Sequence, residues 1–435
     1  MEKNRSSDLF ERRNKVVSNG VGIFVNTTAK SAKGSIITDV DDNEYIDLGG
    51  GIGVLNAGHC PDTVVEAIKS QAEKLIHTCF HVSTYEGYVK LCEKLVEILP
   101  HGRETKVMLT NTGAESVENA IKIARQATRR PGVICFSDAF HGRSFMGMSL
   151  TSKINYKKDC GPFAPEVYRM EYPNFYKNGK GGSEDDFSIQ EIKRLEEFVK
   201  SYVDVNSVAA IILELVQGEG GFNIAPRKYI KLLRQFCDDH GVMLIFDEVQ
   251  TGFCRTAKWG AYQHYDVTPD ISTWAKSMGS GMPIGAVIGK AEVMDAAAPG
   301  TIGGTYLGNP VCCAAAIATI KVMEDQRLNE QADRIGKVFV EKFKKFATLT
   351  PFVGDVRSLG AMVAIEFVVD KESKVPNPEF CEQFVSKCLD KKLILLKAGN
   401  SKNIVRVLSP LVITDNEIER ALLIMEESLK ELIKG

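Results

Sequence analysis

Lys276 closes a short apolar run, Ile271-Ser272-Thr273-Trp274-Ala275, and opens a small-residue loop, Ser277-Met278-Gly279-Ser280-Gly281. A primary amine delivered to the end of a buried segment, with its exposure set by the fold, is suited to forming a Schiff base with an aldehyde. An isolated lysine of this kind reads equally as a surface residue at a strand end, so its neighbours decide. Asp247 stands directly behind another apolar run, residues 242–246. An acidic side chain there is costly to bury unless it is paired. The partner most consistent with Lys276 is a protonated pyridine nitrogen, whose retained charge keeps such a ring an electron sink. A structural salt bridge is the plain alternative. Gln250, three residues further on, is placed to hydrogen-bond an oxygen of the same ring.

Other segments carry compatible chemistry. Asn111-Thr112-Gly113-Ala114-Glu115-Ser116 joins a strand-like to a helix-like stretch. Gly113 allows close backbone approach, and the free amides of the helix start can hold a phosphate. Thr112 with Glu115 also fits a simple capping box, and the run has neither the P-loop nor the GxGxxG pattern. In Phe140-His141-Gly142-Arg143, Phe140 could cover an aromatic cofactor and Arg143 offers a planar fork for a carboxylate. A core aromatic beside a surface arginine is the alternative. Thr305, in Gly304-Thr305-Tyr306, either donates to a phosphate or marks a turn before an apolar helix. Glu214 and Glu219 lie on one glycine-rich loop. Arg406 sits inside an apolar strand-like run, and a buried arginine requires an anion. That anion is either Glu219 or a substrate carboxylate.

The elements that must position these groups alternate along the chain. Strand-like runs cover residues 106–110, 133–136, 208–213 and 242–246, and helix-like runs cover 114–129 and 226–240. The alternation predicts an α/β fold whose largely parallel sheet is flanked by helices. Ligands in such sheets bind beyond the carboxyl ends of the strands. Asn111, His141, Glu214, Asp247 and Lys276 all fall at such ends, which describes one pocket. Residues 36–47 read as a hairpin with an Asp-Asp-Asn turn. Beyond about residue 328 come two helices, a short strand region and a final helix. The two chain ends are expected to meet as a smaller α+β domain. Residues 1–65 would be its amino-terminal part, 66–325 the large cofactor-binding domain, and 326–435 its carboxy-terminal part.

Composition narrows the class. With 435 residues, 44% hydrophobic and 25% charged, the chain matches an ordinary globular protein of two domains or one large one. A net charge of -2 exerts no overall pull toward nucleic acid or membrane. The charged start is no secretory signal, and no apolar run approaches the roughly 20 residues of a membrane span. The 11 cysteines form no CxxC pair. Reduced thiols in the cytoplasm, with no metal site, are the expectation.

On the motifs quoted, together with Gly303-Gly304-Thr305-Tyr306, the chain resembles the class III, fold type I aminotransferases that use pyridoxal 5'-phosphate. Among these it looks most like the bacterial 4-aminobutyrate aminotransferases. The resemblance runs from about Glu11 to the final helix. It implies that Lys276 forms the Schiff base and later moves a proton, that Asp247 pairs with the pyridine nitrogen and Gln250 with the ring hydroxyl, and that Phe140 stacks on the ring. Amides of Gly113 and Ala114 would bind the phosphate, joined by Thr305 of a second subunit in a homodimer or dimer of dimers. Ile52 and Arg143 would shape the pocket for an ω-carboxylate, with Glu214 beside them. Glu219 would neutralise Arg406 when an ω-amino acid is bound and swing away when glutamate is bound. The implied reaction is ping-pong transfer from 4-aminobutyrate to 2-oxoglutarate. Alternatives are 5-aminovalerate, ornithine or acetylornithine as donor, or a racemase or epimerase on the same fold. Departures from the family pattern stand at Ala114, Leu215, Cys254, Ala257 and Ser277.

Overall fold

The run Val-Ala-Ala-Ile-Ile-Leu at Val208–Leu213 is buried at every position, as a strand covered by helices on both faces must be. In the computed structural model, which describes residues 4–434, it lies in a seven-stranded sheet. The order is Thr105–Thr110, Gly285–Lys290, Ile271–Trp274, Met243–Asp247, Val208–Leu213, Gly132–Phe136, Val167–Met170. Alternate residues face two cores: Val133, Ile212 and Ile245 pack on one side, and Ile134, Ile211 and Leu244 on the other. Gly285–Lys290 runs antiparallel to both its neighbours, and the other pairings are parallel. The strand Gly285–Lys290 departs from the loop expected after Lys276. Its first residue explains why: a Cβ on Gly285 would lie 2.6 Å from the Trp274 carbonyl, so packing demands a glycine where propensity disfavours one.

The Gly113–Thr128 helix buries Val117, Ala120, Ile121 and Ala124, the face its spacing predicts. Thr112 Oγ1 accepts from Glu115 N at 3.2 Å. The Glu115 carboxylate reaches back to Asn111 N at 2.8 Å, one residue beyond the amide an ordinary capping box would engage. Pro226 caps the Arg227–His240 helix rather than entering its first turn.

The predicted hairpin forms from Ile36–Thr38 and Glu44–Asp47, closed by Asn43 N donating to Asp39 Oδ1 at 2.8 Å. Leu393–Ile394, from the other end of the chain, pairs in parallel with Ile46–Asp47. The carboxyl region holds more sheet than expected. A hairpin, Val353–Leu359 with Met362–Phe367, stands between the Leu328–Leu349 and Pro378–Asp390 helices, and Ile404–Val407 extends it. Asp355 and Arg357 interrupt the apolar pattern of the first strand. They are tolerated because Arg357 bridges Asp355 at 2.7 Å and Glu366 at 2.8 Å.

Two departures have a conformational meaning. Cys254 and Ala257 hold φ of +71° and +67°, a left-handed backbone costing roughly 1–2 kcal/mol for a residue with a side chain. Glycine, the residue that the resemblance leads one to expect at both positions, would avoid that cost. Among the described residues no helix is long and apolar enough to cross a membrane.

Candidate active site

A cavity of about 480 Å³ opens at the carboxyl ends of the parallel strands, and Asn111, His141, Glu214, Asp247 and Lys276 all line it. Lys276 follows the Ile271–Trp274 strand by two residues and begins a tight turn with φ of +49°. Non-glycine residues in this region are strained, and such strain collects at functional sites. Ser277, the next departure, donates to Gly53 O at 3.0 Å and ties this turn to the amino-terminal segment. Burial lowers the pKa of the Lys276 ammonium, with Glu219, Glu214 and Asp247 opposing it and Arg406 adding to it. A lowered pKa enlarges the share of neutral, nucleophilic amine.

Asp247 ends its strand and is buried. Its Oδ2 lies 2.7 Å from His141 Nδ1, and its Oδ1 accepts from Thr273 Oγ1 and Val249 N, each at 3.1 Å. His141 is therefore the imidazole partner of the aspartate beside Thr273 and Val249, which composition and spacing did not indicate. Gln250 Oε1 is buried with no hydrogen-bond partner, an unsatisfied acceptor at the cavity wall. The amides of Gly113 and Ala114 lie in the first helical turn and have no intrahelical acceptor. A Cβ on Gly113 would sit 2.8 Å from Val249, so close approach, not a special φ, requires the glycine.

Phe140 lines the cavity and packs T-shaped against Tyr156, with ring centroids 5.0 Å apart. Glu214 accepts from Phe140 N at 2.9 Å and Gly218 N at 2.8 Å, so both its oxygens hold backbone in place. Burial pushes its carboxyl up to about 7. Arg143 is exposed at the rim, its guanidinium 5.9 Å from the Tyr156 ring. Arg406 is buried and pairs with Glu219 at 2.7 Å while also donating to Gly218 O at 3.0 Å. Burial opposes the Glu219 carboxylate, yet Arg406 overrides it and holds the pKa down at about 2.

Two candidate residues lie elsewhere in this chain. Ile52 packs against the cluster of Phe222, Met362 and Leu408 and holds φ of +66°, while Val54 lines the cavity in its vicinity. Thr305 is exposed in a turn outside the cavity lining. Sequence reasoning missed Val54, Val249 and Tyr156. Tyr156 reaches Glu219 across 63 positions, and no local pattern carries that signal.

A mostly parallel sheet presenting a strained lysine and a buried aspartate to one cavity is the arrangement of fold type I aminotransferases. The chain belongs to the class-III aminotransferase family, whose model, described as Aminotransferase class-III, matches residues 17–429. It is 43% identical over 421 residues to the probable 4-aminobutyrate aminotransferase of Bacillus subtilis (strain 168), covering 97% of each chain. It is 44% identical over 437 residues to the 5-aminovalerate aminotransferase DavT of Pseudomonas putida, covering 99% of this chain and 100% of the relative. Its structure is similar to that of taurine:2-oxoglutarate aminotransferase from Bifidobacterium kashiwanohense in complex with PLP and glutamate. The TM-score is 0.91 at 26% identity, with 100% of both chains covered. Class-III aminotransferases are pyridoxal phosphate enzymes. The orphaned Gln250 acceptor, the open amides of Gly113 and Ala114, the buried aspartate and the lysine together fit that cofactor.

Proposed function

We propose that the protein moves the amino group of an ω-amino acid, 4-aminobutyrate foremost, to 2-oxoglutarate, releasing a semialdehyde and glutamate in two half-reactions. The observation that carries this reading is the buried Arg406–Glu219 pair beside the cavity. An arginine buried without an anion would be costly. An ω-amino acid brings no carboxylate to its reacting end, and Glu219 then neutralises Arg406. Glutamate brings one, and Arg406 can take it once Glu219 turns aside. Arg143 at the rim is placed to receive the distal carboxylate of either substrate.

Pyridoxal 5'-phosphate, when bound, supplies an electron sink for the carbon that loses its proton. Asp247, held by His141 and Thr273, would keep the ring nitrogen charged, and Gln250 would hydrogen-bond the ring hydroxyl. Phe140 would cover one ring face. Gly113 and Ala114 amides would hold the phosphate with Thr305 of a second copy. The lysine amine would anchor the cofactor and, once released by the incoming donor, would carry the proton from the donor carbon. Exposed apolar residues near Thr305, including Tyr306 at 62%, Ile76 at 63% and Val82 at 80%, support a homodimer or dimer of dimers. We place the enzyme in the cytoplasm.

A panel of ω- and α-amino acids at fixed 2-oxoglutarate, scored by glutamate formed, tests the assignment. Four- and five-carbon ω-amino acids should lead, because one methylene is worth only about 1–3 kcal/mol in a pocket. The P. putida relative is named for the five-carbon donor and the B. subtilis relative for the four-carbon one. Faster turnover of α-amino acids than of every ω-amino acid would refute it. Lys276→Ala should abolish transfer. Borohydride reduction of the wild-type holoenzyme should place the pyridoxyl adduct on Lys276 by peptide mapping.

A further inference from the structure

Resting on this dual-substrate reading, we propose that Tyr156 is a positioning residue that latches Glu219 onto Arg406 and so sets the balance between the two half-reactions. The two oxygens of the Glu219 carboxylate are held separately. Oε1 faces Arg406 at 2.7 Å, and Oε2 accepts from the Tyr156 hydroxyl at 3.0 Å. Glu219 cannot turn aside without breaking both contacts. The phenol bond is charge-assisted, and such bonds are about twice as strong as neutral ones. Burial and the adjacent Glu219 charge push the Tyr156 hydroxyl up to about 12, so it remains a donor across the working pH range.

The ring is set between the other parts of the site. It packs T-shaped against Phe140 with ring centroids 5.0 Å apart, the Arg143 guanidinium lies 5.9 Å from its centroid, and Lys153 Nζ lies 5.7 Å from it. The short turn Ile154–Tyr156 thus touches the residue facing the distal carboxylate, the residue covering the cavity, and the mobile carboxylate. The hydroxyl favours the arrangement in which Arg406 is neutralised, which is the one an ω-amino acid needs. Removing it releases Glu219 for substrates that bring a second carboxylate.

Tyr156→Phe keeps the ring contacts and removes only the hydroxyl. Single-turnover measurements on each half-reaction should show the ratio of kcat/KM for glutamate to kcat/KM for 4-aminobutyrate rising about tenfold, the effect of one hydrogen bond to a charged group at the lower end of about 1.5–3 kcal/mol. Glutarate, which carries two carboxylates and cannot react, should bind the variant holoenzyme about tenfold more tightly by absorbance titration. Butyrate, with one, should bind as it does to the wild type. An unchanged ratio with unchanged glutarate affinity would overturn the latch, as would parallel losses in both half-reactions, which a purely structural tyrosine would give. If the wild type rejects ω-amino acids while glutarate still tightens in the variant, the latch stands and the donor assignment fails.

Discussion

Arg143 is exposed at the rim of the cavity and Arg406 is buried beside it, and this difference decides how each loss would be felt. Glutamate has two carboxylates and two arginines to meet them. An ω-amino acid has one carboxylate and, with Arg406 already paired at 2.7 Å, would on the proposed reading depend on Arg143 alone. Arg143→Ala should therefore weaken the ω-donor half-reaction by about 10- to 100-fold, the value of a hydrogen bond to a charged group of about 1.5–3 kcal/mol. The glutamate half-reaction should lose less. Half-reaction rates followed by cofactor absorbance give the comparison, and equal losses would remove Arg143 from the proposed contact. At this scale the sequence was informative wherever a polar side chain directly follows a buried apolar run. Asp247 and Lys276 stand out because burying either is costly without a partner. Tyr156 does not stand out, since a tyrosine in a polar stretch has many ordinary uses and its partner is remote in sequence.

The elements were legible in proportion to how purely apolar they are. Val208–Leu213 and Gly132–Phe136 are buried throughout, and their unbroken apolar, β-branched runs name them. Gly285–Lys290 begins on an obligatory glycine, and Val353–Leu359 carries a half-buried ion-pair network, so each hides its strand behind residues chosen for contacts elsewhere. Glu248 shows the same effect. It follows Asp247 in sequence, yet it serves the turn Ala261–His264, accepting from Ala261 N at 2.9 Å and Tyr262 N at 2.8 Å and also from Thr251. Burial raises its carboxyl from the ordinary 4.5 to about 7. A carboxyl raised in the folded state contributes stability that is full below about 4.5 and is lost as pH rises through about 7. Glu248→Gln should flatten the fall of Tm over that window. It should also lower Tm at pH 5, because the new amide turns donors toward donors. Thermal scans of the holoenzyme between pH 4.5 and 7.5 read both effects, and an unchanged slope would show that Glu248 does not titrate there.

Across the whole molecule, the two chain ends depend on each other. Leu393–Ile394 completes the sheet begun by the amino-terminal hairpin. The fully buried Arg255 donates to Asn56 and, at 3.4 Å, to Leu408 O, joining residues near both termini through the central segment. We propose the division into residues 1–65, 66–325 and 326–435 on this basis. Residues 326–435 expressed alone should stay protease-sensitive, and co-expression with residues 1–325 should restore resistance. A resistant isolated fragment would refute the dependence. The bond from Ser277 to Gly53 spans 224 positions, so the posture of the reactive amine is partly inherited from chain synthesised long before it. Substitutions around Gly53 would therefore reach the turn that carries Lys276. If the proposed cofactor is bound, its colour, more than expression yield, is where such a change would first be noticed.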